Sequence, residues 1–265
     1  MAQGQYKRKL TTSCSAEERT SESRSLILER FILAGVAAGL IVAVGVGIWH
    51  QYFREKPSGE PQFAVEIRCN VLNAVVVVRS PEHSDTLIVC EGSRDAIVFL
   101  AFQGLDVPRD IAIELFARLP AVVSATATGC YLESERRALV LVYSQFRKFK
   151  TWFGIPIDRS LYRSLVSHEV AHLVADYNFK ISKPTIQAKE YIAYVTQFST
   201  MEPAFRERVL SHFPCKAFEG DWQMSTTIYM FDCMGFGVRA YRHFLLLTDG
   251  DQYLHAILNG EALSE

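Results

Sequence analysis

Residues 31–49 restrict the architecture of this chain more than any other segment. They read FILAGVAAGLIVAVGVGIW, nineteen residues without one charged or strongly polar side chain. As a helix rising 1.5 Å per residue, the segment spans roughly 28 Å, which is close to the thickness of the hydrocarbon core of a bilayer. Core helices of this length in soluble domains normally carry a polar face. We therefore expect residues 31–49 to be a transmembrane helix that contacts the lipid bilayer.

The basic residues around this segment predict its orientation. Arg54 and Lys56 follow it closely, whereas the preceding 30 residues contain six basic side chains: Lys7, Arg8, Lys9, Arg19, Arg24 and Arg30. The positive-inside rule then places the N-terminus in the cytoplasm and the rest of the chain beyond the inner membrane, in the periplasm or another extracytoplasmic space. A cleaved signal peptide is the alternative, with Ala43 and Gly45 as a weak cleavage site. Signal peptides usually have a shorter apolar region and a shorter leader, so we favour an uncleaved, single-pass signal anchor.

The remaining sequence divides into three parts. Residues 1–30 are polar and lack apolar periodicity, which is typical of a disordered cytoplasmic tail. Residues 50–62 contain two prolines and a glycine and are expected to form a linker. Residues 63–265 have the composition of a folded domain. A net charge of -1 without a basic stripe argues against nucleic acid as a partner.

Residues 63–265 show strand patterns first and helical patterns afterwards. Predicted strands are residues 63–68, 74–78, 87–90, 111–116, 126–132 and 138–143, the last two forming a hairpin. Predicted helices are residues 93–105, 161–177, 185–198, 203–213, 226–247 and 252–258. This order indicates an α+β fold with a small antiparallel or mixed sheet followed by a helical half.

The cysteines are expected to be structural. Five of six follow the membrane segment, where oxidation is permitted. The pairs nearest in sequence are Cys69–Cys90 and Cys215–Cys233, although spacing alone does not determine connectivity.

Residues 168–172 read HEVAH, an HExxH motif. Histidines four positions apart project from one face of a helix, so His168 and His172 can both bind one Zn²⁺ at about 2.0–2.1 Å. Glu169 follows the first histidine and can take a proton from the water at the metal.

A catalytic zinc site needs a third protein ligand. The motif that adds a third histidine requires Gly and His where this chain has Ala175 and Asn178, so that class of site is excluded. The alternative ligand is a glutamate from the next helix, and Glu190 lies in the middle of that predicted helix. Glu202 and Glu207 are the fallback ligands.

HEVAHLVADY followed by KEYIA resembles the gluzincin class of zinc metallopeptidases, of which thermolysin is the familiar member. The resemblance covers residues 161–196 and implies His168, His172 and Glu190 as Zn²⁺ ligands and Glu169 as general base and general acid. Asp176 matches an acidic position of the thermolysin-type helix, whereas Tyr194 replaces the acidic residue often found four positions after the ligand glutamate. The compact layout, with FGVRAYRHF near the end, also resembles an uncharacterised bacterial family of predicted metallopeptidases.

Peptide hydrolysis also needs a donor directed at the developing oxyanion. Tyr or His usually fills this role in gluzincins, and our candidates are Tyr241 and His243, with Arg239 as an anchor for a substrate carboxylate. Gluzincins place a sheet edge along the cleft, and residues 138–144 are the strand we expect there.

The function predicted from the sequence is a membrane-anchored zinc metallopeptidase that acts on a peptide or protein substrate. Two alternatives remain. One is a catalytically inactive, zincin-like domain that serves as a membrane-tethered binding or scaffold module. The other is a structural domain in which HEVAH is coincidental.

Overall fold

Five strands form a mixed sheet in the computed structural model, which describes residues 63–121, 123 and 127–264. The strands are β1 (Val65–Val71), β2 (Ala74–Ser80), β3 (Asp110–Phe116), β4 (Gly129–Leu132) and β5 (Arg137–Leu141). Their order across the sheet is β1-β2-β3-β5-β4. The inner pairs β2–β3 and β3–β5 are parallel, and the outer pairs β1–β2 and β4–β5 are antiparallel. A small hairpin, β6 (Thr151–Trp152) and β7 (Ile155–Pro156), stands apart from this sheet.

Helices dominate the second half, as the sequence predicted for an α+β fold. They are α1 (Thr86–Phe102), α2 (Tyr143–Phe146), α3 (Arg159–Asn178), α4 (Ile186–Thr200), α5 (Pro203–Leu210), α6 (Thr226–Phe231), α7 (Cys233–Leu246) and α8 (Gly250–Asn259). Within residues 63–264, the described helices include none whose length and apolar character would let it cross a membrane. The predicted tail, membrane segment and linker lie outside the described residues.

One face of the sheet forms the core because its side chains alternate in burial. Val76 and Val78 on β2 are fully buried, and they lie beside Ile111 and Ile113 on β3. Helices α1 and α3 pack against each other and against this sheet. This arrangement fixes α3 at the centre of the domain.

A glycine allows the close approach of α1 and α3. A Cβ atom on Gly92 would lie 2.6 Å from the Arg163 carbonyl oxygen. The Ser167 hydroxyl donates to the Gly92 carbonyl at 2.9 Å and joins the two helices at the same level. The close approach of the α1 and α3 backbones therefore holds α3 in place over the sheet.

The prediction of a strand at residues 87–90 is wrong, because these residues belong to the first turns of α1. The β-branched residues Ile88 and Val89 fit a helix as well as a strand, and Val89 is fully buried. Ser93, the first residue of the predicted helix 93–105, lies inside α1, where its hydroxyl donates to the Val89 carbonyl at 2.6 Å.

The helix predicted at residues 226–247 is divided at Asp232. Its backbone leaves the helical region, with φ -150° and ψ 81°. Its carboxylate accepts from the Gly235 backbone N–H at 2.8 Å and caps the second helix. The short α6 can therefore take a direction different from that of α7.

One of the two sequence-near cysteine pairs is bonded. Cys69 on β1 and Cys90 on α1 form a disulfide. The suggested Cys215–Cys233 bridge is wrong, since both thiols are free, as is that of Cys130. Cys233 lies at the start of α7, whereas Cys215 lies before α6.

We predict that replacing Cys69 and Cys90 together with alanine lowers the free energy of unfolding by about 3 kcal/mol, because the bridge closes a loop with a sequence separation of 21. Chemical denaturation of the full chain in detergent measures this loss. Cys215→Ala is the matched control and should cost far less. Equal stability of the double variant and the wild type would contradict the expectation.

Candidate functional site

Helix α3 carries polar side chains into the centre of the domain. Its N-terminus is capped by Asp158, whose carboxylate accepts from the Leu161 backbone N–H at 2.9 Å. Both His168 and Glu169 are buried, with exposed fractions of 8% and 5%. Buried charged groups require partners, so the elements around α3 must supply them.

Helix α4 supplies the partner carboxylate. It begins after Thr185, whose hydroxyl accepts from the Ala188 backbone N–H at 3.2 Å, and it packs along α3. This packing directs Glu190 at both histidines. His168, His172 and Glu190 place one ligand atom each within 4.8 Å of the other two.

The nearest distances between these side chains are close to the ligand spacing of a tetrahedral metal site. The two Nε2 atoms of His168 and His172 are 3.1 Å apart. The His168 Nε2 atom lies 3.5 Å from Glu190 Oε2, and the His172 Nε2 atom lies 3.6 Å from Glu190 Oε1. Ligands bound to zinc at 2.0–2.1 Å in tetrahedral geometry lie about 3.4 Å apart. The Glu190 Oε2 atom is also buried without a hydrogen-bond partner among the described residues, which leaves it available to a cation.

The electrostatic environment favours the ligand forms of two of these groups. Burial lowers the pKa of His172 to about 4, so its imidazole is neutral at pH 7. Burial opposes ionisation of Glu190, but His172 and His168 outweigh it and hold the pKa of this carboxyl below its usual value. Burial of His168 is likewise outweighed, mainly by Glu190, and its pKa is raised. A metal ion would therefore have to compete with a proton for the His168 imidazole.

Glu169 differs from Glu190 in its ionisation. Burial raises the pKa of Glu169 to about 7, and the negative charge of Glu190 adds to this effect. A carboxyl group with such a pKa can both accept and return a proton near neutral pH.

The cluster opens into a cavity of about 590 Å³. Strand β4, helices α3 and α4, and the segment around α6 line it. Apolar side chains form much of its wall, among them Phe149, Trp152, Leu165, Ile186 and Met234. A cavity of this size holds several residues of an extended peptide or a small molecule.

Strand β4 runs along this cavity as an edge of the sheet. The expectation for residues 138–144 is therefore wrong: β5 lies between β3 and β4 and has no free edge. In the β4–β5 ladder, Leu141 donates to the Thr128 carbonyl. By alternation, the backbone groups of Gly129 and Tyr131 point away from β5.

Two contacts fix β4 relative to α3. The Tyr131 hydroxyl donates to Asp176 at 2.8 Å. Gly129 lies against Glu169, and a Cβ atom at this position would be 2.6 Å from the Glu169 carboxyl carbon. Only glycine leaves room for this carboxylate beside the strand.

Tyr241, His243 and Arg239 do not line the cavity. The Tyr241 ring stacks on Phe198 with centroids 5.3 Å apart, and His243 Nδ1 pairs with the Tyr191 hydroxyl at 2.7 Å. Arg239 lies over the Phe218 ring. The prediction that these residues act on the substrate is therefore corrected: Tyr241 and His243 are buried in the core, and Arg239 packs against Phe218 away from the cavity.

The fallback ligands also lie elsewhere. Glu202 caps α5 and accepts from the backbone N–H groups of Ala204 and Phe205 at 3.1 and 2.9 Å. Neither Glu202 nor Glu207 lines the cavity.

Two site residues were missed by sequence reasoning. Tyr229 on α6 lines the cavity and interacts with Glu190, lowering the pKa of that carboxyl. Cys130 on β4 lines it too, and burial raises the pKa of its thiol to about 11, so the group stays protonated. Neither residue lies in a motif; the break at Asp232 was the only signal that α6 could turn towards the site.

Residues 76–265 match the family described as a family of unknown function (DUF6639). The match includes every residue of the cluster and nearly all of the described domain. No curated protein matches the chain.

We predict that Gly129→Ala lowers the free energy of unfolding by about 1–3 kcal/mol, since the new methyl group would overlap the buried Glu169 side chain. Gly220→Ala is the control, because its Cβ would lie 3.3 Å from the ring of Trp222, which is exposed and can shift. Chemical denaturation of both variants measures the difference. A Gly129→Ala chain as stable as the wild type would mean that the carboxylate is free to move.

Proposed function

This chain belongs to the family of unknown function DUF6639, and from the geometry of its site we propose that it is a membrane-anchored, zinc-dependent metallopeptidase. His168, His172 and Glu190 would hold the Zn²⁺, and Glu169 would be the general base and general acid. The observation that carries the proposal is the convergence of three side chains: the two histidine Nε2 atoms lie 3.1 Å apart, and each has a different oxygen of Glu190 at 3.5 or 3.6 Å.

The chemistry of the ligand set supports zinc. Two imidazoles and one carboxylate are the protein ligands of open, catalytic zinc sites, in which a fourth position is left for the reactants. When bound, zinc supplies a Lewis acid that polarises a peptide carbonyl and lowers the pKa of water to about 7. The cavity beside the cluster leaves space for both reactants.

The role of Glu169 follows from its position and its pKa. It lies on α3 beside His168 and lines the cavity. Its pKa of about 7 suits a group that removes a proton from the attacking water and passes it to the leaving amine. This transfer returns Glu169 to its starting state, so one side chain serves both steps.

The free edge of β4 is the proposed substrate-binding element. Its outward backbone groups at Gly129 and Tyr131 can pair with an extended peptide as an added strand. Since Gly129 is packed against Glu169, a peptide on this edge would pass beside the general base.

Tyr229 is our revised candidate for the oxyanion donor. It replaces Tyr241 and His243 because it lines the cavity beside Glu190, and its hydroxyl hydrogen, directed at Glu190 in the free protein, would turn to the oxyanion when substrate binds. Burial raises the pKa of its hydroxyl far above neutrality, so the group remains a donor.

The proposed location is the inner membrane, with the N-terminus in the cytoplasm and the domain outside it. The apolar segment 31–49 supports the anchor. The Cys69–Cys90 disulfide supports an oxidising compartment for the domain.

A catalytically inactive, zincin-like binding or scaffold domain is the second candidate. It is favoured by Tyr194, which stands where related sites often have an acid. This candidate shares the metal ligands and differs only in turnover.

We predict one zinc per chain in the full-length protein, purified in detergent without a metal-binding tag. Glu190→Ala should lose the metal, whereas the fallback residue variant Glu202→Ala should keep it. Elemental analysis measures both. Absence of zinc from the wild type after reconstitution would reject both metal-dependent candidates.

Glu169→Gln should retain zinc and lose at least 100-fold in the hydrolysis of internally quenched peptides, since it removes the proton acceptor. Zinc content without hydrolysis in the wild type would instead support the inactive domain.

Tyr229→Phe should lower kcat by about 100-fold with zinc retained, as expected when one oxyanion donor is removed. Tyr241→Phe is the matched control and should leave kcat unchanged, because its ring lies in the core. Equal effects of the two substitutions would remove Tyr229 from the mechanism.

A further inference from the structure

The ring of His168 has two nitrogens, and only one faces the metal cluster. Its Nε2 atom lies near His172 and Glu190. Its Nδ1 atom is buried without a hydrogen-bond partner among the described residues. A histidine that binds a metal generally donates its other N–H to an acceptor, which fixes the tautomer and the orientation of the ring.

Tyr194 does not supply that acceptor. Its ring packs edge-on against the His168 ring, with centroids 4.6 Å apart. Its hydroxyl interacts with the thiol of Cys233. The position four residues after Glu190 therefore contributes packing to His168.

Gln197 has a matching unpaired atom. It lies seven positions after Glu190, two turns further along the same face of α4. It is fully buried, and its Oε1 atom lacks a hydrogen-bond partner among the described residues. A buried acceptor on α4 and a buried donor on α3 are thus both left without a partner among the described residues.

The orientation of the Gln197 amide is set from its other end. The Ser164 hydroxyl donates to the Leu161 carbonyl at 2.8 Å. Its only hydrogen is then used, so its oxygen accepts from Gln197 Nε2 at 3.3 Å. The amide therefore presents its NH₂ group to Ser164 and keeps its carbonyl oxygen for another donor.

We propose that Gln197 is the positioning residue of His168: the two unpaired atoms would pair after an adjustment of the side chains, so that Gln197 Oε1 accepts the Nδ1–H and the Nε2 lone pair stays directed at the metal. This inference rests on the proposed zinc site. Ser164 is the support that orients Gln197, and the three buried side chains form a chain from the start of α3 to the cluster.

An interaction between the side chains of Gln197 and His168 is consistent with this assignment. Gln197 contributes to the raised pKa of His168, as an acceptor facing an imidazole N–H does. Since Gln197 is neutral, it orients the ring without adding a second negative charge to the centre of the domain. Glu190 then remains the one charged ligand of the proposed site.

The test is the zinc affinity of the full-length chain, measured by competition with a chromophoric chelator. Gln197→Met keeps the length of the side chain and removes the acceptor, and we expect affinity to fall 10- to 100-fold. Gln197→Glu keeps an acceptor oxygen and should stay within about threefold of the wild type. Affinities within threefold for all variants would overturn the proposal.

Thr196→Val is the matched structural control. Thr196 is equally buried on the same helix, and its hydroxyl donates only to the Ile192 carbonyl among described partners. The Thr196→Val variant should bind zinc with the same affinity as the wild type. Loss of affinity in Thr196→Val equal to that in Gln197→Met would assign the effect to general packing and overturn the proposal.

Two further measurements keep the proposal testable. If Gln197→Met does not fold, Ser164→Ala removes the support of the amide, and it should weaken zinc binding by at least threefold; no change would count against the proposal. If the wild type binds no zinc, the proposed function fails, but nitrogen NMR of the metal-free chain still decides the pairing. A neutral His168 protonated at Nδ1 in the wild type and at Nε2 in a Gln197 variant supports it, and the same tautomer in both overturns it.

Discussion

The burial of two imidazoles and two carboxylates against one helix is the constraint on which the rest of the domain depends. Moving a charged group out of water costs several kcal/mol unless partners replace the lost hydration. Helix α3 carries His168, Glu169 and His172 into the interior, so α4 must bring Glu190 and the sheet must end beside Glu169. The close contact at Gly92 and the disulfide at Cys69 hold α1 and β1 in the positions that make this possible.

The parts of the site that follow from local sequence were predictable. HEVAH needs only helical periodicity to place two histidines on one face, and a short connection places Glu190 on the next antiparallel helix. The structure brings those three side chains together. The α+β order was readable for the same reason, since alternation and helical spacing are properties of neighbouring residues.

Contacts that depend on tertiary packing were not predictable. Tyr229 reaches the cavity because Asp232 ends α6, and Gly129 is needed only because Glu169 lies against it. Tyr241 and His243 have the residue types of an oxyanion donor, but the orientation of α7 places their side chains in the core. Residues 87–90 predict a strand because β-branched residues favour strands. The prediction is wrong because such residues also occur on the buried face of a helix.

The free edge of β4 has a consequence for how copies of this protein behave towards one another. An unpaired strand invites pairing with another chain and is a common origin of aggregation. This edge is four residues long, and the ion pair between Lys189 and Glu133 stands beside it in the cavity. The short edge and the nearby charges disfavour edge-to-edge pairing with a second folded sheet. They would leave room for a single flexible strand to pair with β4. If this edge binds substrate as proposed, the same geometry would disfavour pairing between folded copies of the domain while still accepting an extended segment.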